Sequence, residues 1–142
     1  MANEPGLSGE PGKSRSPSDR PPDSRRTILL VDDEKNVRML VARTLEREGY
    51  GVIEASNGAE ALGRGLEYSQ PIDLLITDVT MPILSGPELV RQILLERPEM
   101  KVIFITGLDE KDVPHGLGIS YLEKPFTLKG LLDQVKQLLL ER

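Results

Sequence analysis

The sequence predicts an α/β protein with a doubly wound parallel sheet of five strands, and three observations carry that expectation. From Thr27 onward, short apolar runs alternate with stretches of helical periodicity. The runs are rich in β-formers and nearly continuous in apolar character, as strands covered on both faces are. Polar residues cluster where the runs stop, and open α/β sheets place their chemistry beyond the carboxyl ends of their strands.

The first strand is Thr27-Ile28-Leu29-Leu30-Val31, closed by Asp32-Asp33-Glu34. Val37, Leu40, Val41, Thr44 and Leu45 then recur at i, i+3, i+4, i+7 and i+8, with Arg38, Arg43 and Arg47 off that stripe, so an amphipathic helix ends at Gly49. Gly51-Val52-Ile53-Glu54 is a short second strand. Asn57, with Glu60 three residues on, resembles a capping box opening a helix through Leu66, which Gly63 and Gly65 weaken. The third strand, Leu74-Leu75-Ile76-Thr77-Asp78, is stopped by Met81-Pro82. Beyond Gly86, Pro87 at a first helical position and Glu88 near the positive helix end start a helix that runs to about Glu96, before Pro98. Lys101-Val102-Ile103-Phe104-Ile105 leads to Thr106-Gly107, and Ile119-Ser120-Tyr121-Leu122 leads to Glu123-Lys124-Pro125-Phe126. Thr127 can cap the last helix, whose stripe is Leu128, Leu131, Leu132, Val135, Leu138 and Leu139.

Residues 1–25 differ from the rest. Pro5, Pro11, Pro17, Pro21 and Pro22 are mixed with Gly and Ser and offer almost nothing to bury, so this part reads as a disordered tail or linker ahead of a domain over 26–142. With 142 residues, the chain suits one domain of ordinary size. It has no cysteine, which excludes disulfides and thiolate metal sites and suits a reducing cytoplasm. No apolar stretch nears the roughly 20 residues of a spanning helix, so no membrane contact and a cytoplasmic location are expected. A net charge of −5 argues against direct nucleic-acid binding.

Asp32, Asp33 and Asp78 converge on one sheet edge with Thr106 and Lys124. Alone, Asp78 could be a helix cap or turn residue, and Asp33 could cap the helix after it. Three carboxylates brought together raise one another's pKa unless a cation lies among them, so the cluster implies a hard divalent ion, with Mg2+ the natural candidate. Without metal, at least one carboxyl should titrate high.

Taken together, Asp32-Asp33, Asp78 with Met81-Pro82 and Gly86, Thr106, and Lys124-Pro125-Phe126 resemble the receiver domain of two-component response regulators, over roughly Arg26 to Arg142. The resemblance implies a flavodoxin-like sheet of order 2-1-3-4-5. It also implies that Asp78 accepts a phosphoryl group as an acyl phosphate, in a phosphorelay, from a histidine kinase or a histidine phosphotransfer domain. Mg2+ would be held by Asp32, Asp33, Asp78 and the backbone carbonyl of Thr80. Lys124 would pair with Asp78 at rest and with a phosphoryl oxygen afterwards, and a cis Lys124–Pro125 bond is expected. Thr106 would donate its hydroxyl to the phosphoryl group, and Tyr121 resembles the aromatic that turns as that threonine moves. Otherwise Lys124 is a solvated lysine and Tyr121 a half-buried strand residue. His115, the one histidine, lies between Pro114 and Gly116 in a loop, whereas a phosphodonor belongs on an exposed helix face. The chain is thus expected to be a switch and not an enzyme, apart from its own phosphorylation and dephosphorylation.

Rival readings are weaker. A phosphatase of the haloacid dehalogenase type needs a second Asp two residues after the first, where Thr80 stands. A flavin binder would want a Gly/Ser/Thr-rich loop where Asp32-Asp33-Glu34 would repel phosphate. A degenerate receiver serving only as an interaction module is the remaining alternative. Without an output module after Arg142, the expectation is a stand-alone regulator or the receiver of a hybrid histidine kinase, the latter favoured by the phrases around Pro98 and Lys124.

The segment Gly107 to Gly118 is shorter than in most receivers. Pro114, Gly116 and Gly118 oppose a helix, so the fourth helix should be shortened to one or two turns near Asp109 to Val113, or absent. A monomer is expected, its signal read through the first helix or the Thr106-to-Lys124 loop.

Overall fold

The computed structural model describes residues 25–107 and 115–140. The shortened helix expected near Asp109–Val113, and the tail expected over 1–25 apart from Arg25, lie outside the described residues.

In chain order the elements are β1 (Thr27–Val31), α1 (Lys35–Arg47), β2 (Gly51–Ala55), α2 (Gly58–Glu67), β3 (Leu74–Asp78), α3 (Gly86–Glu96), β4 (Lys101–Thr106), β5 (Ile119–Glu123) and α4 (Leu128–Leu140). The five strands form one sheet of order β2-β1-β3-β4-β5, with every neighbouring pair parallel. The doubly wound fold expected from the sequence is therefore the one observed.

Side chains alternate across the sheet with period two. Leu29, Val31, Leu75, Val102 and Phe104 pack with Ala61, Leu89, Val90 and Ile93 on the face covered by α2 and α3. Ile28, Leu30, Leu74, Ile76, Ile103 and Ile105 pack with Val41, Ala42, Leu45, Leu131, Val135 and Leu139 on the face covered by α1 and α4. Every residue of β1 and β3 is buried, which is why those runs lack polar alternation. Among the described residues no helix is long and apolar enough to cross a membrane.

The helix ends follow their local chemistry. Gly49, at φ 97°, closes α1, while Gly49 N–H donates to Glu46 O and Tyr50 N–H to Leu45 O, a Schellman ending. Asn57 Oδ1 accepts from Glu60 N at 2.8 Å, and Glu60 Oε1 accepts from Ser56 N at 2.7 Å, so the capping box forms one residue wider than its simplest version. Thr127 Oγ1 accepts from Gly130 N at 2.9 Å and caps α4. The third helix begins at Gly86 rather than Pro87, because Ser85 supplies the cap by accepting from Glu88 N. Leu40 departs from the expected stripe: it is 53% exposed, since α1 turns Val41, Ala42 and Leu45 to the core and leaves Leu40 on a groove beside Phe126 and Leu128.

Candidate functional site: an acidic edge at the sheet switch point

The sheet order reverses direction at β1, which pairs with β2 on one side and β3 on the other. Crevices form at such points, beyond the carboxyl ends of the strands. Asp32 follows β1 directly and Asp78 is the last residue of β3, so the two carboxylates open onto this crevice from adjacent strands. Asp32 and Asp78 are buried and Asp33 is exposed. One carboxylate oxygen from each of Asp32, Asp33 and Asp78 lies within 4.8 Å of the others.

Neither Asp33 nor Asp78 is a helix cap. The N-cap of α1 is Glu34, with no side-chain cap bond, while Asp32 Oδ1 accepts from Glu34 N at 2.8 Å and so pins the turn. Asp78 Oδ1 is buried and accepts no hydrogen bond from the described residues. Lys124 Nζ, on a side chain about half exposed, lies 3.5 Å from it. Burial raises the Asp78 pKa from 3.8 to about 6; the charge of Asp32 adds to the rise and Lys124 only partly opposes it. Burial also raises Asp32, against the hydrogen bond from Glu34. Two carboxyls of the trio thus titrate high, as the sequence suggested that at least one should.

Lys124 is placed by the sheet edge: its N–H donates to Thr106 O at 2.8 Å, and its peptide bond to Pro125 is cis. Thr106 ends β4, is 8% exposed, and faces the same side of the sheet as Phe104. Tyr121 pairs with Phe104 across β4 and β5 and stacks on it, ring centroids 6.0 Å apart. The Tyr121 hydroxyl meets His115 Nδ1 at 3.0 Å. Thr80 is exposed, two residues past the end of β3. The predicted residues Asp32, Asp33, Asp78, Thr106 and Lys124 therefore share one edge, and Tyr121 lies back from it, in the middle of the strand that Lys124 follows.

The loop after β3 is held tightly. Gly86 N–H donates to Val79 O at 2.9 Å, and a Cβ on Gly86 would collide with the Asp78 carbonyl oxygen. Thr77 Oγ1 donates to that same carbonyl at 3.0 Å. Sequence reasoning missed Arg38, which looked like a solvated residue off the apolar stripe. Its Nη1 donates to the Asp32 carbonyl at 2.8 Å and its Nε to Glu54 Oε1 at 3.1 Å. No sequence signal announces that pairing, because Glu54 comes from the neighbouring strand.

A groove of about 680 Å³ adjoins the acids. Val37, Leu40, Val41, Pro125, Phe126 and Leu128 form its apolar wall, and Asp32, Glu34 and Lys124 also line it.

Residues 28–136 match the sequence model of the response regulator receiver domain family, and the chain belongs to that family. It is a receiver domain of two-component signal transduction, a class of proteins that bind Mg2+ in an acidic pocket and interact with histidine kinases or phosphotransfer proteins. It is 40% identical to the sensor kinase CckA of Brucella abortus over 80% of this chain but only 12% of the kinase. It is 35% identical to the response regulator receiver protein CpdR of the same organism, over 81% of this chain and 98% of CpdR. Among solved structures, the receiver domain of the hybrid histidine kinase CckA superposes with a TM-score of 0.70 at 41% identity, over 80% of this chain and 98% of that one. A CheY-like receiver from Methanospirillum hungatei superposes with a TM-score of 0.71 at 30% identity, over 83% of this chain and 96% of that one.

Proposed function

We propose that this receiver is a working phosphoacceptor switch, with Asp78 as the group that takes the phosphoryl. The observation that carries the reading is Asp78 Oδ1: a buried carboxylate oxygen without a hydrogen bond from the described residues, beside a lysine and among two further carboxylates. The donor set suits a hard cation, since carboxylate oxygens are what Mg2+ takes. Asp32, Asp33, Asp78 and the Thr80 carbonyl would hold it. When bound, Mg2+ offsets the negative charge of the phosphoryl group and of the trio.

The protein's own groups do the rest. Asp78 attacks phosphorus of a phosphohistidine; an O–P bond forms as the N–P bond breaks, and the imidazole nitrogen leaves and takes up a proton. Lys124, already 3.5 Å from the acceptor oxygen and on a flexible stem, follows the charge to a phosphoryl oxygen. The Thr106 hydroxyl donates to another, and its displacement is passed to Tyr121. Attack of water on phosphorus later returns Asp78 and releases phosphate, so the only reactions are the domain's own phosphorylation and dephosphorylation.

The phosphodonor is a histidine kinase or histidine phosphotransfer domain, seated by an apolar helix face in the groove of Val37, Leu40 and Phe126. Asp32 and Lys124 also line that groove, so its occupant would lie beside two of the residues around the acceptor. The reading also keeps the domain in the cytoplasm, monomeric, and without nucleic-acid contact of its own. Incubation with acetyl phosphate and Mg2+ should add one phosphoryl group that base or hydroxylamine removes, and chelation should prevent it. A chain that stays unmodified with Mg2+ present would favour a receiver that works by binding alone.

A further inference from the structure

The acidic turn after β1 is fastened from outside. Asp32 N–H donates to Ala55 O at 3.2 Å, and the Asp32 carbonyl accepts from Arg38 Nη1 at 2.8 Å. Arg38 in turn donates through Nε to Glu54 Oε1 at 3.1 Å. The peptides on both sides of Asp32 are thus tied to the last two residues of β2, one directly and one through the guanidinium. The Arg38 side chain is only 14% exposed, though Glu54, at 39%, is open to water.

We propose that Arg38 and Glu54 are positioning residues for the divalent cation: they hold the Asp32–Asp33 peptide so that both carboxylates face Asp78. The inference rests on the Mg2+ reading given above. Arginine suits the task because its rigid fork serves two separated acceptors from different nitrogens, whereas a lysine has a single nitrogen to place. Groups that orient metal ligands without touching the metal commonly contribute as much to affinity as this requires. Electrostatics makes the idea sharply testable. A fixed cation bonded to the Asp32 carbonyl should, through charge alone, weaken the binding of another cation nearby. Removing Arg38 therefore strengthens metal binding if only its charge matters, and weakens it if the brace matters.

Mn2+, which shares the oxygen ligands of Mg2+, is the probe. Its affinity for the full chain is read from the resonance of free Mn2+, with Mg2+ as competitor, and amide exchange at Glu34 is followed in the metal-free protein. Arg38→Met keeps an unbranched aliphatic stem on α1 and removes the guanidinium. It should bind Mn2+ about tenfold more weakly than wild type, and its Glu34 amide should exchange faster. Glu54→Gln, whose amide oxygen still accepts from Nε, should stay near wild type, Glu54→Ala should lose part of the affinity, and Arg38→Met/Glu54→Ala should be no worse than Arg38→Met. Affinity in Arg38→Met equal to or tighter than wild type would overturn the proposal, as would losses that simply add in the double variant. Wild type that binds no Mn2+ would instead sink the metal site, and the exchange rate at Glu34 would still decide whether the brace holds the turn.

Discussion

Lys124 Nζ stands 3.5 Å from Asp78 Oδ1, yet that oxygen accepts no hydrogen bond from the described residues and the aspartate still titrates at about 6. The pair is unequal. The lysine is about half in solvent while the carboxylate is 8% exposed, so the ammonium spends much of its field on water and the burial cost of Asp78 wins.

A pH prediction follows with a definite sign. A carboxyl raised in the folded state binds its proton more tightly folded than unfolded, so stability is lost as pH climbs from about 4 through about 6 and stays lost above that. Raised from 3.8 to about 6, Asp78 would cost up to roughly 3 kcal/mol at neutral pH, and Asp32 acts in the same direction. Metal-free Asp78→Asn should melt higher than wild type at pH 7, match it near pH 4, and lose most of its advantage when Mg2+ is added. Chemical denaturation at the two pH values checks this; a less stable Asp78→Asn at pH 7 contradicts it.

Gly86 should tolerate no side chain. Gly86→Ala would push a methyl group against the Asp78 carbonyl, a backbone atom that can yield only by moving the end of β3. We expect a loss of about 2–3 kcal/mol and slower phosphorylation at fixed Mg2+. Wild-type behaviour in both assays would show that the close approach is not needed.

Arg97 is a structural clamp that no motif advertised. It is 3% exposed, and its guanidinium donates to the carbonyls of Gly65, Tyr68 and Gln70, so it joins the end of α3 to the end of α2 and the loop beyond. Arg97→Ala should cost about 2 kcal/mol, chiefly by leaving the buried Gly65 carbonyl without this donor, while the carbonyls of Tyr68 and Gln70 are nearer water. Arg97→Lys should recover little of it, because one ammonium cannot reach three diverging acceptors. Urea melts distinguish these outcomes.

Ile83 is strained in the loop after Asp78. It sits at φ 75° while 78% exposed, a region that a β-branched residue enters only at a cost. Ile83→Asn should stabilise the fold by about 1 kcal/mol, since asparagine tolerates that conformation and no core contact is lost. A destabilised variant would mean that the exposed isoleucine packs more usefully than its exposure suggests.

Much of this was legible in the sequence, for stated physical reasons. Buried parallel strands read as unbroken apolar runs, so β1 and β3 could be placed to the residue, and Asp32 and Asp78 with them. Caps carry local signals, which is how Asn57 and Thr127 were found. Contacts between distant segments carry none: Arg38 reaches Glu54, Arg97 reaches Gly65, and neither partner can be guessed from spacing. Leu40 shows the same limit in reverse, because periodicity marks an apolar stripe but not which edge of it faces solvent. The strand order came through the family resemblance, since periodicity alone leaves strand order open.

The account stands on Asp78 as the phosphoryl acceptor. After phosphorylation with Mg2+, borohydride converts an aspartyl phosphate to homoserine, and mass spectrometry of the digested chain then locates the change. The account predicts homoserine at position 78, absent when Mg2+ is chelated and absent in Asp78→Asn. Homoserine at Asp32 or Asp33 instead, or label that persists in Asp78→Asn, would contradict it.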